Sequence, residues 1–457
     1  MLDGEAKAKL RHIVGPEWFL DSPEDTATYS YDAFLPEFMP DAVIVPANSQ
    51  EISQIMSIAN EKRFNIIPRG AGTNISGTSV ARQGGVIMAF HRMNRILEID
   101  VEDMCAVVQP GVVNADLQKE AAKKGLMYPP DPASMFVSTI GGNVALNAGG
   151  PRGAKYGVTR DYLLGLEVVL PTGDIIRTGG KTLKNVTGYD LTRLFCGSEG
   201  TLGIITEIIV RLIPQPPAKA TLQAVFSDLD DAAKTVSAIV ASGIVPTTLE
   251  LIDRVVLDVI RDYGGAEFAS EAEALLLIEV DGEISAVESQ GKRIKGFCKQ
   301  RGAIEVDMAT DPEEADKLWQ ARRTAFGAVA SLRPNCIVED ATVPIKNLPA
   351  MIRKIVELAE KYELKIGVLA HAGDGNLHPL IMTDLRDKDE MKRVDRALDE
   401  MYEAALSMGG TLSGEHGIGI AKDRFITKEL SPKAIEVMRG IKRVFDPNNI
   451  LNPGSFL

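Results

Sequence analysis

Three of the chain's five histidines fall in two short segments, His371-Ala372-Gly373-Asp374-Gly375-Asn376-Leu377-His378 and Gly414-Glu415-His416-Gly417. Residues seven apart point to opposite faces of a plain strand, but the Gly373-Asp374-Gly375-Asn376 turn folds the chain back, so both imidazoles can converge. Two histidines and one carboxylate suit a divalent cation with open coordination positions, as in catalytic zinc or non-haem iron sites. The spacing alone also allows a metallohydrolase, although the helical HExxH pattern is missing. Glu415 and His416 are neighbours, so an extended backbone turns only one of them toward a given point.

A second kind of chemistry is written in glycine. Pro68-Arg69-Gly70-Ala71-Gly72-Thr73-Asn74-Ile75-Ser76-Gly77 follows a short strand. Glycines and small hydroxyl residues there let backbone N–H groups approach phosphate oxygens without a cationic side chain. The spacing is not the Rossmann fingerprint, and Thr78 stands where a P-loop needs Lys. Two further runs share the composition: Ser138-Thr139-Ile140-Gly141-Gly142-Asn143 through Asn147-Ala148-Gly149-Gly150, and Gly197-Ser198-Glu199-Gly200-Thr201-Leu202-Gly203. Three such loops in one domain suit a long, phosphate-bearing cofactor laid out between two subdomains; tight turns alone do not require three. The third candidate is Leu318-Trp319-Gln320-Ala321-Arg322-Arg323, where a helix-borne Arg can hold a carboxylate by two parallel hydrogen bonds.

These segments must be positioned by two bodies of secondary structure. The first 38 residues read as a helix and an irregular stretch. Strands follow at Ala42–Val45, at 65–67, 85–90 and 106–109, with helices after Ser49 or Asn48 as N-cap and near 114–124. A hairpin joins 166–170 to 175–178 through Pro171-Thr172-Gly173-Asp174. Pro214-Gln215-Pro216-Pro217 marks a boundary. Beyond it, helices near 228–241, 283–301, 311–331, 345–362 and 388–408 alternate with strands near 275–280, 304–306, 336–339 and 366–369, an α/β pattern. A last helix spans 431–445.

With 457 residues the chain is large enough for two or three domains. Its 50 basic and 63 acidic side chains give a net charge of -13, which repels polyanions and makes nucleic acid an unsuitable partner. Cys105, Cys196, Cys298 and Cys336 are too scattered for zinc or iron–sulfur ligation and fit a reducing cytosol. The first residues are mixed and charged, unlike a secretory signal, and no apolar run approaches the length that spans a bilayer. The expected location is cytoplasmic, with no direct membrane span.

The runs 68–77, 129–173 (from Pro129-Pro130-Asp131-Pro132) and 188–212, with Lys155-Tyr156-Gly157, resemble the FAD-binding domain of the vanillyl-alcohol oxidase and p-cresol methylhydroxylase superfamily. From about residue 15 onward the chain is similar to the branch holding the glycolate oxidase large subunit, D-lactate dehydrogenases and D-2-hydroxyglutarate dehydrogenase. Phe445-Asp446-Pro447 and Ile450-Leu451-Asn452-Pro453-Gly454 carry the likeness to the end. The implied fold is α+β: a two-subdomain FAD-binding domain of the p-cresol methylhydroxylase type (39–217) after an N-terminal helical segment (1–38), then an α/β substrate or cap domain with a metal site (218–420) and a C-terminal helical segment (421–457). The resemblance assigns FAD binding to Pro68 through Asn74 and Gly77, to Pro132, Ser138, Thr139, Gly141, Gly142 and Asn143, to Ala148, Gly149, Gly150 and Gly157, and to Glu199, Gly200, Gly203 and Ile204. No His lies in 68–77, so a noncovalent flavin is implied, and His91 reads as structural.

The same resemblance makes His371, His378 and Glu415 ligands of a divalent metal (Zn, Fe or Mn), His416 the catalytic base, and Arg322 the catalytic-site holder of the substrate carboxylate. Asn376 and Lys422 are weaker supporting candidates, and the role of Arg323 stays open. Phe326 and Leu380 stand where the hydroxyglutarate enzyme has Thr and Asn, which points to a small monocarboxylate. The implied activity is FAD-dependent oxidation of a small D-2-hydroxy acid, D-lactate to pyruvate first and glycolate as the alternative, by hydride transfer to flavin N5. Electrons then pass to a separate protein, an electron-transferring flavoprotein or iron–sulfur subunits. A non-catalytic flavin relay is the rival; it would not need the His/Glu cluster.

Overall fold

The computed structural model describes residues 2–264 and 268–455. Two compact units emerge, and neither is a continuous stretch of chain. The first comprises the chain up to Gly150, Gly157–Gln215 and the segment from Glu415 onward; the second comprises Pro151–Tyr156 and Pro216–Gly414. The N-terminal and C-terminal helical segments, 1–38 and 421–457, both belong to the first unit. Within the stretch expected to be one FAD domain, 151–156 joins the second: Lys155 and Tyr156 both bond to Asp281, Tyr156 at 2.9 Å from Oδ2.

The first unit holds a four-stranded sheet and a five-stranded sheet. In the former, Ala42–Ile44, Val86–Ala89 and Ile66–Arg69 run parallel, and Phe19–Leu20 lies antiparallel at the edge. The helix Ser49–Lys62 starts where Asn48 accepts from Glu51 N, and it buries Ile52, Ile55, Met56 and Ala59, spaced to form one face. That face packs with Ile44, Ile66, Val86 and, from the far end of the chain, Ile450 and Leu451. The second sheet is antiparallel, with Ile204–Arg211 between Cys105–Val108 and Leu163–Val169, and the hairpin to Ile175–Gly179 at one edge.

The second unit is built on one large sheet in which every registered pairing is antiparallel. Alternation of helices and strands in sequence leaves strand direction open; pairing supplies it. Four of the strands, Ala218–Phe226, Thr248–Asp253, Ala341–Thr342 and Asn376–Thr383, and the helix Arg254–Asp262 were not expected. Asn376–Thr383 carries Pro379 in its interior. The Pro379 carbonyl accepts from Glu339 N, and a strand residue's N–H points to the same side as its C=O. The missing N–H therefore faces the break between the partners Asn335–Val338 and Ala341–Thr342, where no ladder bond is lost. The helix expected over 311–331 is divided into Pro312–Leu318 and Gln320–Ala330 at Trp319, whose indole donates to Glu279 at 2.8 Å. No helix among the described residues is long and apolar enough to cross a membrane.

Candidate active site

The three glycine-rich loops meet in the first unit. A methyl group on Gly70 would stand 2.6 Å from Thr139 Oγ1, and one on Gly200 2.5 Å from Pro68 Cγ. Gly197 N and Glu199 N donate to the carbonyls of Val144 and Ala145, which ties the third loop to the helix Ile140–Leu146 of the second. Gly150 has φ +139 and passes so close to Asp131 O that a side chain there is excluded on both counts. Ser138 Oγ and Asn143 Nδ2 are buried and find no hydrogen-bond partner among the described residues. Buried polar atoms are normally satisfied, so two orphaned ones in the same glycine-rich loop fit a ligand rich in acceptor oxygens.

Several side chains expected at the cofactor are turned elsewhere, whatever their backbones do. The Arg69 guanidinium donates to Ser79 O at 3.2 Å and lies over the Tyr29 ring. Asn74 Oδ1 accepts from Thr78 N within its own loop, and Ile204 belongs to the apolar core. Glu199 is buried with φ 53; its carboxylate accepts from Ile418 N, Gly419 N and Ser455 Oγ at 2.7–3.0 Å. Burial pushes its carboxyl above the usual range, against those three bonds. Glu199 thus pins the turn that follows His416. Glu415 lies in the same unit, with Oε2 2.6 Å from where a methyl on Gly149 would stand. His91 is hydrogen-bonded to Tyr29 OH at 2.7 Å.

The histidine pair lies in the second unit. Lys365–His371 and Asn376–Thr383 form a hairpin in which Leu369 faces His378 and His371 faces Asn376. Opposite residues share a face and so do residues two apart, so His371 and His378 project together; their ring centroids are 4.9 Å apart. On the other side of His371 the register brings Glu250, fully buried in Thr248–Asp253, onto the same face. Glu250 Oε1 is 2.5 Å from His371 Nδ1, and Oε2 accepts from Arg322 Nε at 2.7 Å. Burial alone would raise the Glu250 carboxyl; His371 and Arg322 beside it hold it instead at about 2. His378 Nδ1 lies 3.3 Å from the Glu339 carbonyl. Neither oxygen partner carries a hydrogen, so each Nδ1 donates, and Nε2 is the ring nitrogen left to ligate a metal. That donor set fits a divalent cation.

The expected positive charge at Arg322 is therefore half of an ion pair. Glu250 is the functional candidate that the sequence reading missed; a carboxylate inside the run Thr248-Leu249-Glu250-Leu251-Ile252 was its available signal, since a buried charge needs a partner. Arg323 points to Asp316 at 3.0 Å on the exposed face. Phe326, one turn beyond Arg322, is half exposed, whereas Leu380 is sunk in the core with Leu369, Ala325 and Val329. Asn376 accepts from Thr342 Oγ1, and Gly414, the last residue of this unit, packs against both. Lys422 is buried in the first unit.

Residues 40–179 match the family model of the FAD binding domain, and residues 215–456 match that of FAD linked oxidases, C-terminal domain. The glycolate oxidase subunit GlcD of Bacillus subtilis (strain 168) is 51% identical over 456 residues, 99% of this chain and 97% of that protein. The D-lactate dehydrogenase of Anaerostipes hadrus is 35% identical, covering 96% and 95% of the two chains. A solved structure of p-cresol methylhydroxylase with substrate bound superposes with a TM-score of 0.80 at 21% identity, over 98% of this chain and 96% of that one, a likeness of fold. With identity running through nearly the whole chain and both models matched in order, the chain belongs to the FAD-linked oxidases and carries their FAD-binding domain.

Proposed function

We propose that the chain oxidises a small D-2-hydroxy monocarboxylate to the 2-oxo acid and passes the electrons to a separate protein. The observation that carries the reading is the Arg322–Glu250–His371 chain with His378 on the same face: a guanidinium suited to a carboxylate, beside two imidazoles suited to a cation. FAD, when bound, supplies the two-electron acceptor, and a divalent cation on His371, His378 and Glu415 would acidify the substrate hydroxyl. Glu415 follows directly on Gly414, which packs against Asn376, the register partner of His371. Arg322 binds and orients the carboxylate. His416 takes the hydroxyl proton, and Glu199 fixes the turn behind it.

Glycolate and D-lactate differ by one methyl group, which is worth about 1–3 kcal/mol in a pocket. The 51% identity to a glycolate oxidase subunit favours glycolate; the D-lactate dehydrogenases, at 35%, keep D-lactate as the second reading. Anaerobic mixing of the flavoprotein with glycolate, D-lactate, L-lactate and D-2-hydroxyglutarate tests both. Bleaching of the flavin by glycolate or D-lactate and not by L-lactate supports the proposal; bleaching by none refutes it. The GlcD relatives are named as subunits, which supports a partner protein; cysteine-rich iron–sulfur subunits co-purifying with the chain would identify one kind of acceptor, and two flavoprotein subunits would identify an electron-transferring flavoprotein.

A further inference from the structure

We propose that Glu250 is a positioning residue that sets the ligand state of His371 and the orientation of Arg322 at once, coupling cation binding and carboxylate binding through one buried side chain. This rests on the function proposed above. Glu250 has no exposed surface and sits on a central strand of the sheet, where an unpaired carboxylate would cost several kcal/mol. Each of its oxygens is committed to a different partner: Oε1 to His371 Nδ1 and Oε2 to Arg322 Nε. The partners reach it from different directions. His371 is its cross-strand neighbour in the register, and Arg322 comes from the helix Gln320–Ala330.

With one carboxylate oxygen against Nδ1 and the other held by Arg322, the His371 ring is fixed in orientation and Nε2 is the nitrogen turned away from Glu250. A carboxylate in that place also raises the basicity of a ligating imidazole. The bond to Nε fixes the guanidinium plane, and it does not involve the Nη1 and Nη2 donors, the pair that can hold a carboxylate in parallel. A displacement of either partner is passed to the other through one rigid carboxylate. A structural ion pair would need only Arg322, and an imidazole orienter would need only one oxygen; the two-sided arrangement is what points to coupling.

Glu250→Gln separates these roles, because an amide has one acceptor oxygen and so must present N–H to one of two donors. The purified holoprotein is stripped of metal with a chelator, and zinc affinity is measured by competition with a chromophoric chelator in wild type, Glu250→Gln, Arg322→Met and the double variant. FAD content and melting temperature are read in parallel. Expected are a 10- to 100-fold loss of zinc affinity in Glu250→Gln, about the range for removing an imidazole's outer partner, with FAD content unchanged, and single-variant effects that are non-additive by about fivefold or more. If Glu250→Gln does not fold, Glu250→Asp replaces it in the cycle, with the same non-additivity expected. Wild-type zinc binding with a Glu250 variant within twofold of it, or additive effects, overturns the inference and leaves the proposed function standing. Wild type that takes up no divalent cation overturns the metal part of the proposed function, and this inference with it.

Discussion

Asp253→Asn should reverse its effect on stability between acid and neutral pH. Asp253 ends the strand that carries Glu250 and caps the helix Arg254–Asp262, accepting from Val256 N at 3.0 Å. Burial raises its carboxyl from 3.8 to about 7, against backbone hydrogen bonds from Val256 and Val368 and with help from Asp258 and Glu273. The folded state therefore keeps a proton that the unfolded chain has released, and stability falls as pH rises from about 4 to about 7. About three pH units at about 1.4 kcal/mol each makes the loss about 4 kcal/mol once pH exceeds 7. Asparagine never ionises, so it escapes that loss, but its single acceptor oxygen gives up one backbone hydrogen bond, about 1 kcal/mol. The variant should be more stable than wild type by about 3 kcal/mol at pH 8 and less stable by about 1 kcal/mol at pH 4, with the curves crossing near pH 5. For a unit of about 200 residues, 1 kcal/mol moves Tm by about 2–4 °C, so scanning calorimetry across pH resolves both ends. A variant melting below wild type at pH 8 would show that the carboxylate is stabilised as the anion and would refute the reasoning.

Asn143→Ala should weaken FAD binding about 10- to 150-fold, the effect of removing one hydrogen bond of about 1.5–3 kcal/mol to a charged acceptor, read as flavin fluorescence quenching on reconstitution. Unchanged affinity would mean that Asn143 Nδ2 does not face the cofactor. Acid precipitation should release yellow FAD into the supernatant, since 68–77 offers no His for a covalent link; colour retained in the pellet would contradict it. His416→Ala should slow flavin reduction about 100- to 10,000-fold with little change in the affinity of a substrate analogue, whereas Arg322→Ala should weaken that affinity as well. The opposite pattern would exchange the two roles.

What could be read from sequence follows the range of the forces involved. The hairpin that converges His371 and His378 was legible because four turn-forming residues lie between them, and the cofactor loops were legible because close backbone contact demands glycine locally. Glu250 was not, because its partners are 72 and 121 residues away and its strand is buried on both faces, leaving no alternation to read. The same holds for Glu199: its place in a loop suggested the cofactor, while its carboxylate answers to backbone groups 219 and 220 residues further on.

The interleaving of the two units sets a timetable for synthesis. Ile66, on the strand that enters the first glycine-rich loop, donates from N to Ile450 O and accepts from Asn452 N, and Asn452 Nδ2 ties Thr78 O to Glu199 O. None of these bonds can form until Pro216–Gly414 has been translated, which at about 5–20 residues per second takes about 10–40 s. For that interval the nascent chain holds a glycine-rich cradle with one border missing, and at its end all residues of the second unit have been made. A chain ending at Gly414 and released from the ribosome should therefore show a protease-resistant second unit and no tightly held flavin, and loading of the cofactor is an event that waits for the returning segment.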